Sequence, residues 1–305
     1  MWKEHALKNS IFSHPYLLLT LTAMAWGGNA IAGKLAVGHV SPFLLTSIRW
    51  VFACLILLPF ALPYLKKDWP KIRENLLFLF ILGIIGFSVF NNLMYLSLTY
   101  TTAINVAIEQ AAMPVIVFIL NYILFKTRVT SYQIIGFIIT LLGVVVTVTR
   151  GNLLDLVNLA LNTGDIIMVC AIMVYGTYSV YLKYKPDIHV VSFLSVLAVA
   201  AMFGTIPFLG YEILTGTLQW PDTQGWGVIA YAAIFPSIVS QLFWVMGLDK
   251  LGSNRGGLFI NLVPIFGAIF AVVLLGEAFQ FYHALGLILV LGGITLAQKT
   301  AKNST

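Results

Sequence analysis

The residues best suited to chemistry in this sequence are polar side chains inside long apolar runs, and the densest group lies between Thr102 and Phe125. Asn105 and Glu109 are four residues apart and share one face of a helix, and Gln110 lies about 100° further round. Pro114 cannot donate a hydrogen bond to the carbonyl of Gln110, which is left for a ligand, a water molecule or a neighbouring helix. The spacing predicts a polar binding face, or else a kink that a neighbouring helix satisfies.

Other apolar runs carry polar and aromatic residues at the same helical spacing. Asn and Gln side chains can bind the polar end of a ligand, and aromatic rings can stack on an aromatic or amphipathic one. Aromatic stripes in membrane helices also serve as packing or interface anchors, which is the alternative interpretation. The candidate substrate-binding residues are Trp26, Asn29, Asn91, Asn92, Tyr95, Asn105, Glu109, Gln110, Tyr175, Tyr178, Gln241, Trp244 and Asn261.

Glu109 is the one acidic residue predicted to lie well inside an apolar run. A charge there costs about 2.5–3.5 kcal/mol on membrane-insertion scales, so a partner is expected. One interpretation is a permanent ion pair with Arg49 or Lys34. The other is that Glu109 binds a substrate ammonium group, or takes up a proton when the site changes its exposure.

Motifs of the common membrane and soluble enzymes are missing from the sequence. It has no His-Glu-x-x-His, paired-aspartate, Gly-x-Ser-x-Gly or phosphate-loop motif. The two cysteines cannot form a disulfide framework or a thiolate metal site. We therefore expect no catalytic residue, no metal and no cofactor, with a membrane enzyme kept as an alternative. The five histidines, all predicted to be interfacial residues, are His5, His14, His39, His189 and His283.

The composition places these side chains in a membrane protein. Of the 305 residues, 60% are hydrophobic and 9% charged, against about 45–50% and about 25% in soluble domains. A spanning helix needs about 20 apolar residues, and the sequence offers ten such runs. The predicted spans run from about Pro15 to Val37, Pro42 to Tyr64, Leu76 to Leu98, Thr102 to Phe125, Tyr132 to Thr149, Gly164 to Leu182, Val190 to Ile213, Trp226 to Leu248, Ser253 to Leu275 and Phe281 to Gln298.

The basic residues fall on alternate connections between these spans. The positive-inside rule then predicts that both termini are cytoplasmic, and it explains the net charge of +6 without a nucleic-acid partner. The start of the chain also imitates a signal peptide that ends at Ala23-Met24-Ala25, which is the competing interpretation. The basic residues on the predicted cytoplasmic side are Lys3, Lys8, Lys66, Lys67, Lys71, Arg73, Lys126, Arg128, Lys183, Lys185, Lys250, Arg255, Lys299 and Lys302.

The sequence repeats itself after a shift of 150 residues. Pro114 then overlays Pro264, and Gly143 overlays Gly293. Because each copy has five spans, an odd number, the second copy must enter the membrane from the opposite side. The predicted fold is an all-α membrane protein of ten transmembrane helices in two inverted five-helix repeats. The predicted segments are a cytoplasmic segment over 1–14, the repeats over 15–149 and 164–298, an external connection over 150–163 that lies along the interface, and a cytoplasmic tail over 299–305.

Several short motifs resemble a known family. Trp26-Gly27-Gly28-Asn29, followed by Lys34, Ser41-Pro42 and Arg49-Trp50, is similar to the opening of an EamA-type half of the drug/metabolite transporter superfamily. Asn261 to Pro264, then Leu274-Leu275-Gly276-Glu277, Gly286 and Gly293, resembles the last two helices of that family. The sequence departs from the pattern at Phe125-Lys126-Thr127, where the family usually carries Gly-Glu, and at Tyr175, where Trp is usual.

The resemblance covers essentially the whole chain and implies a ten-helix carrier that acts on small metabolites. The leading functional prediction is a secondary transporter in the cytoplasmic membrane of a bacterium, which exports a small polar metabolite, an amino acid above all and an aromatic one in particular. A carrier of sugars or nucleotide-linked sugars is the first alternative, although phosphates would favour more basic residues in the cavity. A channel is another alternative, because it also needs polar helix faces.

Overall fold

The computed structural model describes residues 14–126, 130–152, 162–252 and 256–299, and every regular element within them is helical. The N-terminal predictions on Lys3, Lys8 and His5 lie outside the described residues, as do those on Arg128, 153–161, Arg255 and Lys302. The helices are α1 Pro15–Ala36, α2 Pro42–Glu74, α3 Leu76–Ser97, α4 Ala103–Phe125, α5 Ser131–Val148, α6 Thr163–Tyr184, α7 Val190–Thr215, α8 Thr223–Leu251, α9 Leu258–Leu275 and α10 Phe281–Lys299.

Eight of these helices, α2 to α9, are long and apolar enough to cross a membrane. Helix α1 is not among them, because Asn29, Lys34 and three glycines lower its mean hydropathy. The apolar part of α10, Phe281–Ala297, is shorter than the other spans. An all-helical, multi-pass membrane protein is thus confirmed.

Helix α2 corrects one predicted boundary. We expected it to end near Tyr64, before a connection with four basic residues, but it continues to Glu74 through three internal prolines. Each proline removes a backbone hydrogen bond without ending the helix, because its φ is already helical. Lys71 and Arg73 therefore lie in the last turn of α2 and not in a loop. Cations in the last turn of a helix interact favourably with its dipole.

Distortions of the helices recur with the 150-residue shift. Helix α3 has a π-helical stretch at Ile84–Val89, and α8 has one at Phe235–Val239. Helix α4 is interrupted just before Met113–Phe125, and α9 begins with a 3-10 stretch that ends just before Leu262–Leu275. Such distortions interrupt the i→i−4 hydrogen-bond ladder and often mark functional sites.

The two halves of the chain pack mainly against each other. Helix α1 contacts α8 and α9, α6 contacts α3 and α4, α2 contacts α7, and α5 contacts α10. Exchanging the first five helices with the last five reproduces this set of pairs. The centre of the bundle is therefore a surface shared by both halves.

Helices α5 and α10 are held together by close backbone approach. A Cβ atom added at Gly143 would lie 2.8 Å from the carbonyl oxygen of Gly286, and one at Gly293 would collide with the carbonyl of Gly136 and the hydroxyl of Thr140. Small residues allow such an approach, which is a common way to join helices in lipid.

We expect Gly293→Ala to destabilise the protein by about 1–3 kcal/mol, the usual cost of overpacking. Its neighbour Gly292 offers a matched control, because a Cβ there meets nothing within 4 Å. Gly292→Ala should be neutral or slightly stabilising, since Ala favours helix over Gly. Thermal unfolding of the two variants in detergent measures the difference, and equal melting temperatures would contradict the packing argument.

Candidate functional site

A cavity of about 480 Å³ lies between the two halves, with walls from α1, α2, α3, α4, α6, α8 and α9. This volume suits a small-molecule ligand. The walls are largely apolar and aromatic, and a few polar side chains face the space between them. The candidate residues that line the cavity are Trp26, Asn29, Asn91, Gln110, Tyr175, Gln241, Trp244 and Asn261.

Five candidate residues do not line the cavity. Tyr95 lies directly behind its wall, where its hydroxyl donates to Asn29 Oδ1 at 2.8 Å. Asn92 donates to Ser88 Oγ on its own helix at 3.3 Å. Tyr178 is buried with its ring centroid 5.9 Å from that of Phe87. The remaining two, Asn105 and Glu109, belong to a separate polar cluster.

Arg49 is the cation of the cavity wall, and the sequence-based set of binding residues did not include it. Its side chain is only 3% exposed, and no ion pair to it occurs in the described part of the chain. Nη1 donates to Asn91 Oδ1 at 2.7 Å and to the Tyr95 hydroxyl at 2.6 Å, while Nε donates to Ser237 Oγ at 2.7 Å. Ser237, a residue of the second half, thus helps to hold Arg49 of the first half in place. Because Nε and Nη1 are engaged, Nη2 is the nitrogen that can bind a ligand.

Aromatic rings fix the orientation of Arg49 and shape the rest of the cavity. The Arg49 guanidinium carbon lies 5.0 Å from the Trp50 ring centroid, and the Trp50 ring stacks on Phe87 at 4.9 Å. A cation over an aromatic face is attracted by the ring quadrupole. Elsewhere in the lining, the ring centroids of Trp26 and Trp244 are 5.3 Å apart. The site therefore combines a fixed cation with flat apolar surfaces.

The cavity reaches toward one end of the bundle. Its lining includes Leu182 near the end of α6, Ile260 near the start of α9, and Phe118 in the second half of α4. We call the opposite end, where α2, α4 and α6 begin, the closed end. No cavity-lining residue comes from the first turn of those three helices.

Charged side chains tie the closed end together. Lys34 donates to the carbonyls of Leu98 at 2.9 Å and Thr101 at 2.7 Å. Glu277 accepts from the backbone N–H groups of Ala103 at 2.8 Å and Ile104 at 3.0 Å. A carboxylate at a helix N-terminus satisfies unpaired N–H groups and interacts with the helix dipole. Glu277 therefore joins the end of α9 to the start of α4.

Glu212 makes the corresponding contact between α7 and α2. Its carboxylate accepts from the Ser41 hydroxyl at 2.7 Å and from the N–H groups of Phe43 at 2.9 Å and Leu44 at 3.0 Å. Next to it, the connection before α8 contacts the connection after α1, where Asp222 pairs with His39 Nδ1 at 2.7 Å. The Gly225 N–H and this histidine lower the pKa of Asp222.

The cluster around Glu109 overturns two expectations. The ion-pair interpretation is wrong, since Lys34 and Arg49 bind other groups and Glu109 faces Asp165. His283 is not interfacial, because it is 2% exposed and its Nε2 lies 3.1 Å from Asn105 Oδ1. Asp165, which the sequence analysis missed, is buried at the start of α6. The signal available was its place one residue inside a predicted span.

Comparison with known proteins indicates a membrane transporter. The chain is similar to the uncharacterized transporter YyaM of Bacillus subtilis, with 27% identity over 92% of each chain. It is also similar to an uncharacterized transporter of Archaeoglobus fulgidus, with 28% identity over 95% of this chain and 98% of the relative. A protein of known crystal structure shares the fold, with 20% identity, a TM-score of 0.63 and coverage of 93% of this chain and 96% of that one. The EamA-like transporter family matches residues 14–149 and again 162–298, and the chain therefore belongs to this family.

Proposed function

We propose that the protein is a secondary transporter that exports an amino acid, with aromatic amino acids among its substrates, by alternating access. The observation that carries the proposal is Arg49, a buried cation in the wall of a cavity with no ion pair in the described part of the chain. A cation in a membrane interior needs a counter-charge. The carboxylate of a substrate supplies one.

The rest of the cavity matches the other groups of an amino acid. Nη2 of the guanidinium, which remains after Nε and Nη1 bind Ser237, Asn91 and Tyr95, can donate a charge-assisted hydrogen bond to a carboxylate. Amide side chains at Gln110, Gln241 and Asn261 offer oxygen acceptors for a substrate ammonium group. Trp26 and Trp244 offer flat surfaces for an aromatic side chain. Each class of substrate group thus has a partner within one cavity.

Alternating access is supported by the relation between the halves. We propose ten spans in two inverted repeats over 15–149 and 164–298, joined by an external connection over 150–163, with both termini in the cytoplasm of a bacterium and the chain in its inner membrane. The helix distortions recur in both halves, and the set of contacting helix pairs is unchanged when the first five helices are exchanged with the last five. Both observations support a two-fold relation between the repeats. In this topology the closed end faces outward, and the cavity reaches toward the cytoplasm.

Nucleotide-linked sugars fit the cavity less well than amino acids. A diphosphate requires several cations or donors, and Arg49 is the one cation among the cavity-lining residues that the structure describes. Lys34 is engaged by two carbonyl oxygens at the closed end. The charge of the described lining therefore favours a substrate with a single carboxylate.

Counterflow in proteoliposomes tests the proposed function. Vesicles with purified full-length protein and unlabelled phenylalanine inside should accumulate labelled phenylalanine, and the uptake should saturate. Phenethylamine, which lacks the carboxylate, should compete poorly, because it offers no partner to Arg49. A linear, non-saturable flux would indicate a channel, and counterflow with a nucleotide sugar but no amino acid would overturn the assignment of substrate class.

A further inference from the structure

A second polar site lies between the cavity and the closed end, and the transport cavity does not include it. Glu109 is fully buried, and neither of its carboxyl oxygens has a hydrogen-bond partner in the described structure. Its carboxyl group faces that of Asp165, which is also 0% exposed. Two oxygen acceptors that face each other cannot form a hydrogen bond unless one of them carries a proton.

The surroundings of the pair supply donors to Asp165 only. Its Oδ1 accepts from the Thr101 hydroxyl and from Asn105 Nδ2, the latter at 3.3 Å. The Asn105 carbonyl oxygen lies 3.1 Å from His283 Nε2, so the amide of Asn105 is already engaged. Asp165 is therefore the member stabilised as an anion, and Glu109 is the member left to hold a proton.

We propose that Glu109 and Asp165 together bind one exchangeable proton, and that binding and release of this proton couple transport to the proton gradient. Two adjacent buried carboxylates repel each other and lack water to solvate them, so the pair stays packed only while it shares a proton. The coupling part of this proposal depends on the transport function proposed above. It does not depend on which substrate is carried.

Titratable and charged side chains from three neighbouring helices surround the Glu109–Asp165 pair. Helix α10 contributes Tyr282 and His283, Arg150 at the end of α5 acts electrostatically on Asp165, and α1 contributes Lys34. Helix α9 has no titratable residue between Leu262 and Leu275, and Glu277 follows it. The nearby cations can stabilise one anion of the pair, but they do not contact Glu109 itself.

The pair is placed where a proton could control the closed end. Glu109 directly precedes Gln110, which lines the cavity. Asp165 binds the Thr101 side chain, and the Thr101 carbonyl holds Lys34 at 2.7 Å. Loss of the proton would leave two repelling anions between α4 and α6 and favour separation of these helices. Proton uptake from outside would then accompany closure of this end, and proton release inside would complete an exchange of substrate for proton.

Proteoliposomes that contain an internal substrate and a pH-sensitive dye test this coupling. For the wild type, external acidification should accelerate substrate efflux several-fold, and the lumen should acidify faster with internal substrate than without it. Nigericin, which dissipates the pH difference, should abolish the acceleration of efflux. Glu109→Gln and Asp165→Asn should keep counterflow at equal pH but lose the acceleration. Glu74→Gln, the same change at an exposed helix end, should behave as the wild type.

Each other outcome is decisive. Counterflow without any response to the pH gradient, or a response to a sodium gradient instead, would overturn the proton site and leave the transport function intact. Absence of counterflow would overturn the transport function. Infrared spectra at pH 7 test proton binding without transport. The wild type should show a protonated-carboxyl band that Glu109→Gln lacks and that Asp165→Asn shifts, because Asp165 is the neighbour of the protonated group. An unchanged band in Glu109→Gln would overturn the proposal even where transport cannot be measured.

Discussion

Replacement of Arg49 by glutamine should reduce amino-acid transport about 30-fold or more while the protein still folds. Loss of one partner from a buried, hydrogen-bonded charge pair costs about 2–5 kcal/mol, and every 1.4 kcal/mol is a factor of ten in affinity. In the substrate-free protein the same residue is a buried charge without an ion pair in the described part of the chain. Its removal relieves this unpaired charge, which offsets part of the cost of losing the hydrogen bonds to Asn91, Tyr95 and Ser237.

Two variants and two substrates make this prediction specific. Arg49→Lys keeps the charge but loses the planar donors that hold it against Asn91, Tyr95 and Ser237, so its transport should lie between those of the wild type and Arg49→Gln. Binding of phenethylamine, which has no carboxylate, should be nearly the same in all three proteins. Competition assays and thermal unfolding measure these quantities. An Arg49→Gln protein that unfolds, or that loses both ligands equally, would show a structural role instead.

Much of the architecture could be predicted because lipid restricts what a helix can expose. Apolar runs and the charges between them located α2 to α9, although Lys71 and Arg73 proved to lie within a helix. Pro114 recurs as Pro264 in the second repeat, and both repeats interrupt the corresponding helix next to this proline. Helix interruptions of this kind follow from one residue type, which a sequence displays directly.

The contents of the site were harder to predict, because helical periodicity defines a face but not the neighbour of that face. Trp26, Asn29 and Gln241 line the cavity as expected, while Tyr95 on a similar stripe lies behind the wall. The sequence indicated Arg49 as a possible partner of Glu109 and as part of the family motif, but not as a member of the binding set. Its contact with Ser237, 188 residues away, depends on the packing of α2 beside α8.

Asp165 shows the same limit at a helix end. It lies at the start of α6, where the sequence alone does not indicate a buried carboxylate. Gly164 lets the backbone approach closely, since a Cβ there would lie 2.6 Å from the carbonyl oxygen of Ser97 and 2.8 Å from the Thr101 nitrogen. This contact carries Asp165 into the interior beside Glu109, and only the relative position of α3 and α6 reveals it.

Replacement of Glu277 by glutamine should open the closed end. An amide oxygen can accept from one of the Ala103 and Ile104 N–H groups, but the amide NH2 repels the other. Loss of a helix-capping carboxylate costs about 0.5–2 kcal/mol, which corresponds to a 2- to 30-fold larger open population. A cysteine in place of the fully buried Ala103 should then react that much faster with an impermeant thiol reagent.

The background for this assay lacks Cys54 and Cys170, and a cysteine in place of the exposed Tyr100 is the control for labelling. In whole cells that control should react equally with or without Glu277→Gln. Reaction only in inverted vesicles would contradict the proposed topology, and an unchanged rate at position 103 would contradict the closing role of Glu277.

The 150-residue shift adds a complementary variant. The shift aligns Thr127 with Glu277, so the second repeat has a carboxylate where the first has a hydroxyl. If Glu277 favours closure of the outer end, a carboxylate at the corresponding place in the other repeat should favour closure of the inner end. Thr127→Glu should then also increase the labelling of a cysteine at position 103, since a two-state carrier that closes inside must open outside. Decreased labelling would mean that the two repeats do not act as counterparts.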